Sequence, residues 1–373
     1  MKNKIIYLSL IFLFHINVSF SQDQYFEFQT KTIEVLENGN LIKANFGRAI
    51  STDNDFEINA NFFEYNNNSK ILKINGEGLI LIKSNNLRIK FDEGIIDQDK
   101  FIFEAYGKVK AKFLDGYLDV NSKKIIYDFK NKFLISPDKA DIKYNYKNNI
   151  ITKSFKYEIN KNLLKIKDLN FTDGNNNNLK SSIAYINTKT NNLYGKNIFL
   201  NLNNETFNEK NEPRLKGNSI INNDERTEIT KGVFTTCKKR DGCPPWELSA
   251  NKIIHDKKNQ TINYENAIIK IYDKPIAYFP KFSHPDPTVN RKSGFLTPSI
   301  KNSSNRKNYL SIPYYLVIAD NRDFTFSPRF YDHEEILLRT EYRQAGYKSN
   351  HLSDFSFKIN DDKKLRSHFF YKY

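Results

Sequence analysis

The chain has 373 residues and a formal net charge of +15, long enough for two ordinary domains or for one domain and part of a large barrel. Its lysines and arginines are scattered rather than clustered, which argues against a nucleic-acid surface and supports only a general affinity for anionic partners such as phosphorylated lipid. Phe and Tyr together number 52, and no apolar run approaches the roughly 20 residues of a spanning helix, so any membrane insertion must use strands.

At the start, Met1-Lys2-Asn3-Lys4 is followed by an apolar stretch from Ile5 to Phe14 and by Ser19 and Ser21 in a small-x-small pattern. This arrangement predicts a secretory signal peptide over residues 1–21 and a mature start near Gln22, because about 10 apolar residues are too few for an anchor.

From about Asn61 to Ile135 the chain repeats at a spacing of roughly 30 residues, the period of a strand pair with polar turns. Phe63-Glu64-Tyr65, Lys70-Ile71-Leu72 and Gly78-Leu79 correspond to Ile96-Asp97, Lys100-Phe101-Ile102 and Gly107-Lys108-Val109, and then to Tyr127-Asp128-Phe129 and Lys132-Phe133-Leu134. A later copy sets Lys252-Ile253-Ile254-His255-Asp256 beside Lys124-Ile125-Ile126-Tyr127-Asp128. Within the strands, Leu87, Ile89 and Phe91 alternate with Arg88 and Lys90, and Val109, Ala111 and Phe113 with Lys108, Lys110 and Lys112, which gives one buried and one wet face. The expected fold over residues 22–281 is an all-β jellyroll or a stack of hairpins.

Cys237 and Cys243 are the only cysteines, and in an exported chain a disulfide is the natural use of such a pair. They can bond to each other or each to a cysteine elsewhere. With His255 and His284 they match no compact zinc spacing, so no metal is expected.

Pro275, Pro280, Pro285, Pro287 and Pro298 then interrupt the pattern, and residues 282–292 read as an interdomain hinge. Over 293–373 the alternation sharpens and its apolar face turns aromatic. Phe324, Phe326, Pro328 and Phe330 alternate with Asp323, Thr325, Ser327 and Arg329; Ile336, Leu338, Thr340 and Tyr342 with Glu335, Leu337, Arg339, Glu341 and Arg343; Phe355, Phe357 and Ile359 with Asp354, Ser356 and Lys358. Five or six such segments fit, as expected of strands between lipid and an aqueous lumen, although a second soluble sandwich has the same pattern. Even the smallest single-chain barrels use 8 strands, so these would be the opening strands of an incomplete barrel. No nucleophile elbow, metalloprotease helix or phosphate loop is present, and neither an enzyme nor a cofactor is expected; Glu334 and Glu335 read as lumen or turn charges.

Phe234-Thr235-Thr236-Cys237, Ile253-Ile254-His255-Asp256, the prolines from Pro275 to Pro287 and Ser293-Gly294-Phe295-Leu296 together resemble the LptD family. Pro298, Ile312-Pro313-Tyr314-Tyr315, Phe326-Ser327-Pro328-Arg329 and Glu341-Tyr342-Arg343 follow in the family's order, and the region upstream resembles the OstA-type periplasmic jellyroll. The resemblance implies transport and assembly of lipopolysaccharide at the outer membrane, with the N-terminal domain in the periplasm. It implies as partners an LptA-like periplasmic bridge protein, an LptE-like plug lipoprotein, the barrel-assembly machinery and lipopolysaccharide itself. It also places Pro298 and Pro313 at a lateral gate in the first two barrel strands, although each proline also suits an ordinary strand end or bulge. Cys237 matches a family cysteine just before the barrel that bonds over long range, and Cys243 is either a local partner or a second long-range anchor. Acyl chains crossing water need an apolar groove, for which Leu79, Leu81, Leu87, Ile89, Val109 and Ala111 are candidates; the same side chains would equally fill a sandwich core. The other functional readings are a stand-alone periplasmic lipid-binding jellyroll and an unrelated porin or surface-binding barrel.

Overall fold

The computed structural model describes residues 25–203, 211–239, 244–286, 289, 291–296, 298–303, 306–332, 335–359 and 365–373. The expected signal peptide lies outside them. Among the described residues there is no α-helix, and no helix is long and apolar enough to cross a membrane.

The first sheet is an antiparallel meander. It opens with β1 (Phe26–Leu36), β2 (Leu41–Ser51), β3 (Phe56–Asn66), β4 (Ile71–Ile82), β5 (Leu87–Asp97), β6 (Ile102–Phe113) and β7 (Leu118–Asp128), each paired with the next. Two broken passes follow, one made of β8 (Phe133–Ser136) and β9 (Ala140–Tyr144), the other of β10 (Asn148–Thr152) and β11 (Ser154–Glu158). The meander resumes through β12 (Leu163–Thr172), β13 (Asn178–Asn187), β14 (Leu193–Asn201) and β15 (Arg214–Asn222). It ends with β16 (Arg226–Thr235), β17 (Trp246–Asp256), β18 (Thr261–Ile271) and β19 (Lys274–Pro285).

The repeat seen in the sequence is the hydrogen-bonded stacking of turns. The Asn86 carbonyl accepts from the Leu114 N–H, and the Phe101 carbonyl from the Phe129 N–H, so each turn rests on the next one on its side. A second feature recurs with the same period. Phe46, Glu77, Gly107, Asp168, Asn197, Lys231 and Asn266 all have positive φ in the middle of β2, β4, β6, β12, β14, β16 and β18 respectively. Such residues bulge a strand and bend it. At Gly107 (φ 94°) the crowding is tight enough that a Cβ would stand 2.3 Å from the Asp92 carboxylate. The aligned bends fold the sheet around one continuous apolar core.

That core differs along its length. Phe26, Phe56, Phe63, Phe103, Phe113, Tyr127 and Tyr157 fill the N-terminal half and are fully buried. From β12 onward most buried core positions carry Leu, Ile and Ala, among them Leu179, Ala184, Ile186, Ile220 and Leu248, with Trp246 and Tyr264 as the buried aromatic residues.

The second sheet has six passes. The first is β20 (Gly294–Phe295) and β21 (Ser299–Ser303), the second β22 (Arg306–Ser311) and β23 (Tyr314–Ala319), the third β24 (Arg322–Phe326) and β25 (Arg329–Tyr331). The last three are the unbroken β26 (Ile336–Ala345), β27 (Asn350–Ile359) and β28 (Leu365–Lys372). Its faces are inverted relative to a soluble core. Asp323, Glu335 and Ser311 are buried, while Leu316, Ile336, Phe355, Phe369 and Tyr371 are exposed. Asp323 meets Arg343 at 2.7 Å and Glu335 meets Lys358 at 2.6 Å, so the enclosed face is charged and paired. Apolar outside and ionic inside is the arrangement of a strand wall between lipid and water.

Candidate functional site

In the C-terminal half of the first sheet a cavity of about 920 Å³ opens. Its wall is apolar, with Ile186, Leu200, Leu215, Ile220, Trp246, Leu248 and Ile269 from the first sheet, and it is closed on one side by Leu296, Pro298 and Ile312 from the second. Interiors are close-packed, and this volume lies at the upper end of the range for ligand sites, about 300–1,000 Å³.

One edge is polar. Lys257 donates to Asn222 Oδ1 at 3.0 Å, and burial holds its ammonium below the ordinary lysine range. Tyr264 Oη lies 3.0 Å from His284 Nε2 with the two rings stacked, and His255 Nε2 pairs with Asp286. Burial pushes the His284 imidazole below its usual pKa, against the opposing pull of the Pro285 carbonyl and the Asp286 charge. Among the described residues, no group of three or more His, Cys, Asp or Glu side chains is arranged to hold a metal.

The two sheets meet through aromatic rings. Phe282 packs on Phe295 at 5.2 Å between centroids, and Phe295 on Tyr314 at 5.0 Å. Gly294 permits this approach, since a Cβ there would stand 2.2 Å from Cδ of Pro285.

The span 282–292, expected as a hinge, begins inside a strand. Phe282 to Pro285 belong to β19, an edge strand paired only with β18 among the described residues, where Pro285 turns its nitrogen to the free side and Pro280 falls opposite the bulge at Asn266. Pro287 lies outside the described residues. Among the described residues that follow, Asp286, Arg291, Lys292 and Ser293 are tied to the two sheets. The Asp286 N–H donates to the Gln260 carbonyl at 3.0 Å and Lys292 donates to the Asn259 carbonyl, both in the β17–β18 turn. Arg291 donates to the Ala319 and Arg322 carbonyls at 3.1 and 3.2 Å and to Asp323 at 3.3 Å, all at the β23–β24 turn. Ser293 Oγ accepts the Val317 N–H at 2.8 Å.

Pro298 and Pro313 stand between strand segments, Pro298 between β20 and β21 and Pro313 between β22 and β23, and Pro298 lines the cavity. Of the six groove candidates, Leu87, Ile89, Val109 and Ala111 are buried in the aromatic-filled half. Leu79 and Leu81 are only half-buried, and Ile80 and Ile82 take the inward positions. The run Leu79-Ile80-Leu81-Ile82 has no alternation of its own; its phase is set by Leu72 and Ile74 against Lys73 and Asn75. None of the six lines the cavity. Cys237 is half-buried at the margin of the core beside Trp246, while Cys243 and Glu334 lie outside the described residues.

Sequence reasoning missed Arg291 and most of the cavity wall; Gly294, Leu296, Pro298 and Ile312 stood in the motifs without a packing role.

No protein-family model matches the chain. Curated relatives do. LPS-assembly protein LptD of Shewanella frigidimarina is 34% identical over 148 residues, 39% of this chain and 19% of the relative. LPS-assembly protein LptD of Sodalis glossinidius is 33% identical over 135 residues, 36% of this chain and 17% of the relative. That of Nitrosomonas europaea is 30% identical over 170 residues, 42% of this chain and 23% of the relative. The chain thus spans less than a quarter of the length of these relatives. Over about two fifths of its residues, at 30–34% identity, it is similar to the LPS-assembly proteins LptD, the family that its Phe234–Ile300 motifs resemble.

Proposed function

We propose that this protein takes part in lipopolysaccharide assembly at the outer membrane, holding the acyl chains in the cavity of the first sheet and passing the lipid toward a gate at Pro298 and Pro313. The observation that carries the reading is that Leu296, Pro298 and Ile312, from the broken passes of the second sheet, line the same cavity as Ile220 and Leu248 of the first. An apolar space that ends at a weakened strand seam suits an amphiphile that must leave sideways. Lys257 at the polar edge offers a cation to an anionic headgroup. The first sheet would stand in the periplasm and the second in the membrane as part of a larger barrel.

The partners follow from the same surfaces. Among the described residues β1 pairs only with β2, and its Ile33 and Val35 are exposed, so an LptA-like bridge protein would add a strand there. The charged face of the second sheet would enclose an LptE-like plug, and its strands would be inserted by the barrel-assembly machinery.

Photo-crosslinking tests the reading. A crosslinking residue at Leu248 should capture lipopolysaccharide in cells, and one at the outward-facing Lys110 should not. Equal capture at both sites, or none at Leu248 in a folded protein, rejects it.

A further inference from the structure

The second sheet is broken in three passes rather than two. The third break, Ser327-Pro328, separates β24 from β25, and Pro328 is buried. Pairing is regular on both sides of it: Tyr314 faces Phe326 and Ser311 faces Arg329, so the same register sets Ile312 opposite Pro328 and Pro313 opposite Ser327. The breaks therefore form one transverse crease, which stops at the unbroken β26.

Hydrogen-bond direction shows which seams the crease weakens. In an antiparallel ladder, neighbouring residues turn their backbone groups to opposite sides. The Ser327 N–H donates to the Arg339 carbonyl of β26 at 2.7 Å, so the Pro328 nitrogen turns toward Ile312, where it has no hydrogen to give. The Pro313 carbonyl accepts from the Leu296 N–H at 2.8 Å, so the Pro313 nitrogen turns toward the first pass and is likewise empty. The seam with β26 keeps its bonds, with Tyr331 N–H to the Glu335 carbonyl at 2.9 Å and the pairs Arg329 with Leu337 and Phe330 with Ile336. Beyond the crease, β22 and β25 are welded by Tyr309, whose ring lies 5.4 Å from that of Tyr331 and 4.5 Å from the Arg329 guanidinium.

We infer that the moving part of the gate is a three-strand panel of β21, β22 and β25, and that Pro328 is a positioning residue that carries the crease up to its hinge. The panel swings on the β25–β26 seam and separates along the crease from β20, β23 and β24, where Ile312 lines the cavity. This rests on the gate reading above, but its motion is measurable without lipid.

Hydrogen exchange of the protein in nanodiscs is the test. The amides of Arg329–Tyr331 should exchange together with those of Tyr309–Ser311 and faster than those of β23, β24 and β26. Pro328→Ala supplies a donor facing Ile312 and should slow exchange in β25 by about 2- to 10-fold, the effect of one backbone hydrogen bond. Tyr309→Ala should uncouple β22 from β25 without slowing either. If β25 is as protected as β26 in the unmodified protein, or if Pro328→Ala leaves it unchanged, the panel does not exist. Loss of lipid capture at Leu248 with panel exchange intact would reject the cargo and keep the panel; capture with a locked β25 would do the reverse.

Discussion

His284 shows how a single side chain at the meeting of the two sheets sets a pH dependence. Burial favours its neutral form, so its folded pKa is lowered, while in the unfolded chain it titrates near the ordinary value of about 6.5. Between those two values the unfolded state binds more protons than the folded one, so stability is present above about pH 6.5 and is lost as pH falls below it. Amide protection in β18 and the end of β19 should therefore drop on acidification through pH 6, with a slope of at most about 1.4 kcal/mol per pH unit for one proton. His255, Asp286 and Tyr264 face the same ring, so the contribution of His284 is read as the difference from His284→Gln, which should flatten the profile. An unchanged profile in that variant would assign the dependence elsewhere. At this scale the sequence was partly legible. Alternation assigned Leu87, Ile89, Val109 and Ala111 inward, as observed, but failed in the apolar run Leu79–Ile82, where no polar residue marks the phase.

At the scale of elements, the linker after β19 behaves as a clasp. Its contacts reach the β17–β18 turn through Asp286 and Lys292 and the β23–β24 turn through Arg291, so it fixes the polar edge of the cavity against the end of the second sheet away from the crease. Spin labels at Lys258 and Asp320, one in each turn, should give a narrow distance distribution. Arg291→Ala with Lys292→Ala should broaden it while costing little global stability, because Asp323 keeps Arg343 and half-exposed pairs contribute about 0–1 kcal/mol each. A broad distribution in the unmodified protein would restore the simple hinge. Strand positions and their period were readable because alternation and turn residues are local signals. The clasp was not, because a polar residue in a proline-rich stretch carries no mark of the distant carbonyl it meets. Pro328 was visible within the Phe326–Arg329 motif, yet its place on the crease depends on register with the second pass, which only the paired strands reveal.

For the whole molecule, the question left open by the sequence was whether inward side chains fill a core or line a groove. Packing differs by position: the largest fully buried aromatic residues lie in the N-terminal half, whereas in the C-terminal half Leu and Ile side chains, with Trp246, Tyr264 and Phe282 among them, surround the cavity. The division makes opposite forecasts for the same kind of substitution. Val109→Phe adds bulk where Val109 is 1% exposed in a packed core, and should destabilise by about 1–3 kcal/mol. Leu248→Phe adds bulk toward an empty apolar space and should stabilise by about 0.5–2 kcal/mol, as cavity-filling changes commonly do. Trp246, the chain's single tryptophan, lines the cavity and reports thermal unfolding directly by its fluorescence. A shift of roughly 2–4 °C per kcal/mol is expected for a domain of this size. Leu248→Phe should at the same time weaken lipid capture by a crosslinker at Ile220, since the added ring takes space an acyl chain would occupy. If it instead lowers the midpoint as Val109→Phe does, the space collapses in solution and the first sheet is a sandwich with a loosely drawn core. If it raises the midpoint and leaves capture intact, the cavity is real but the lipid travels outside it.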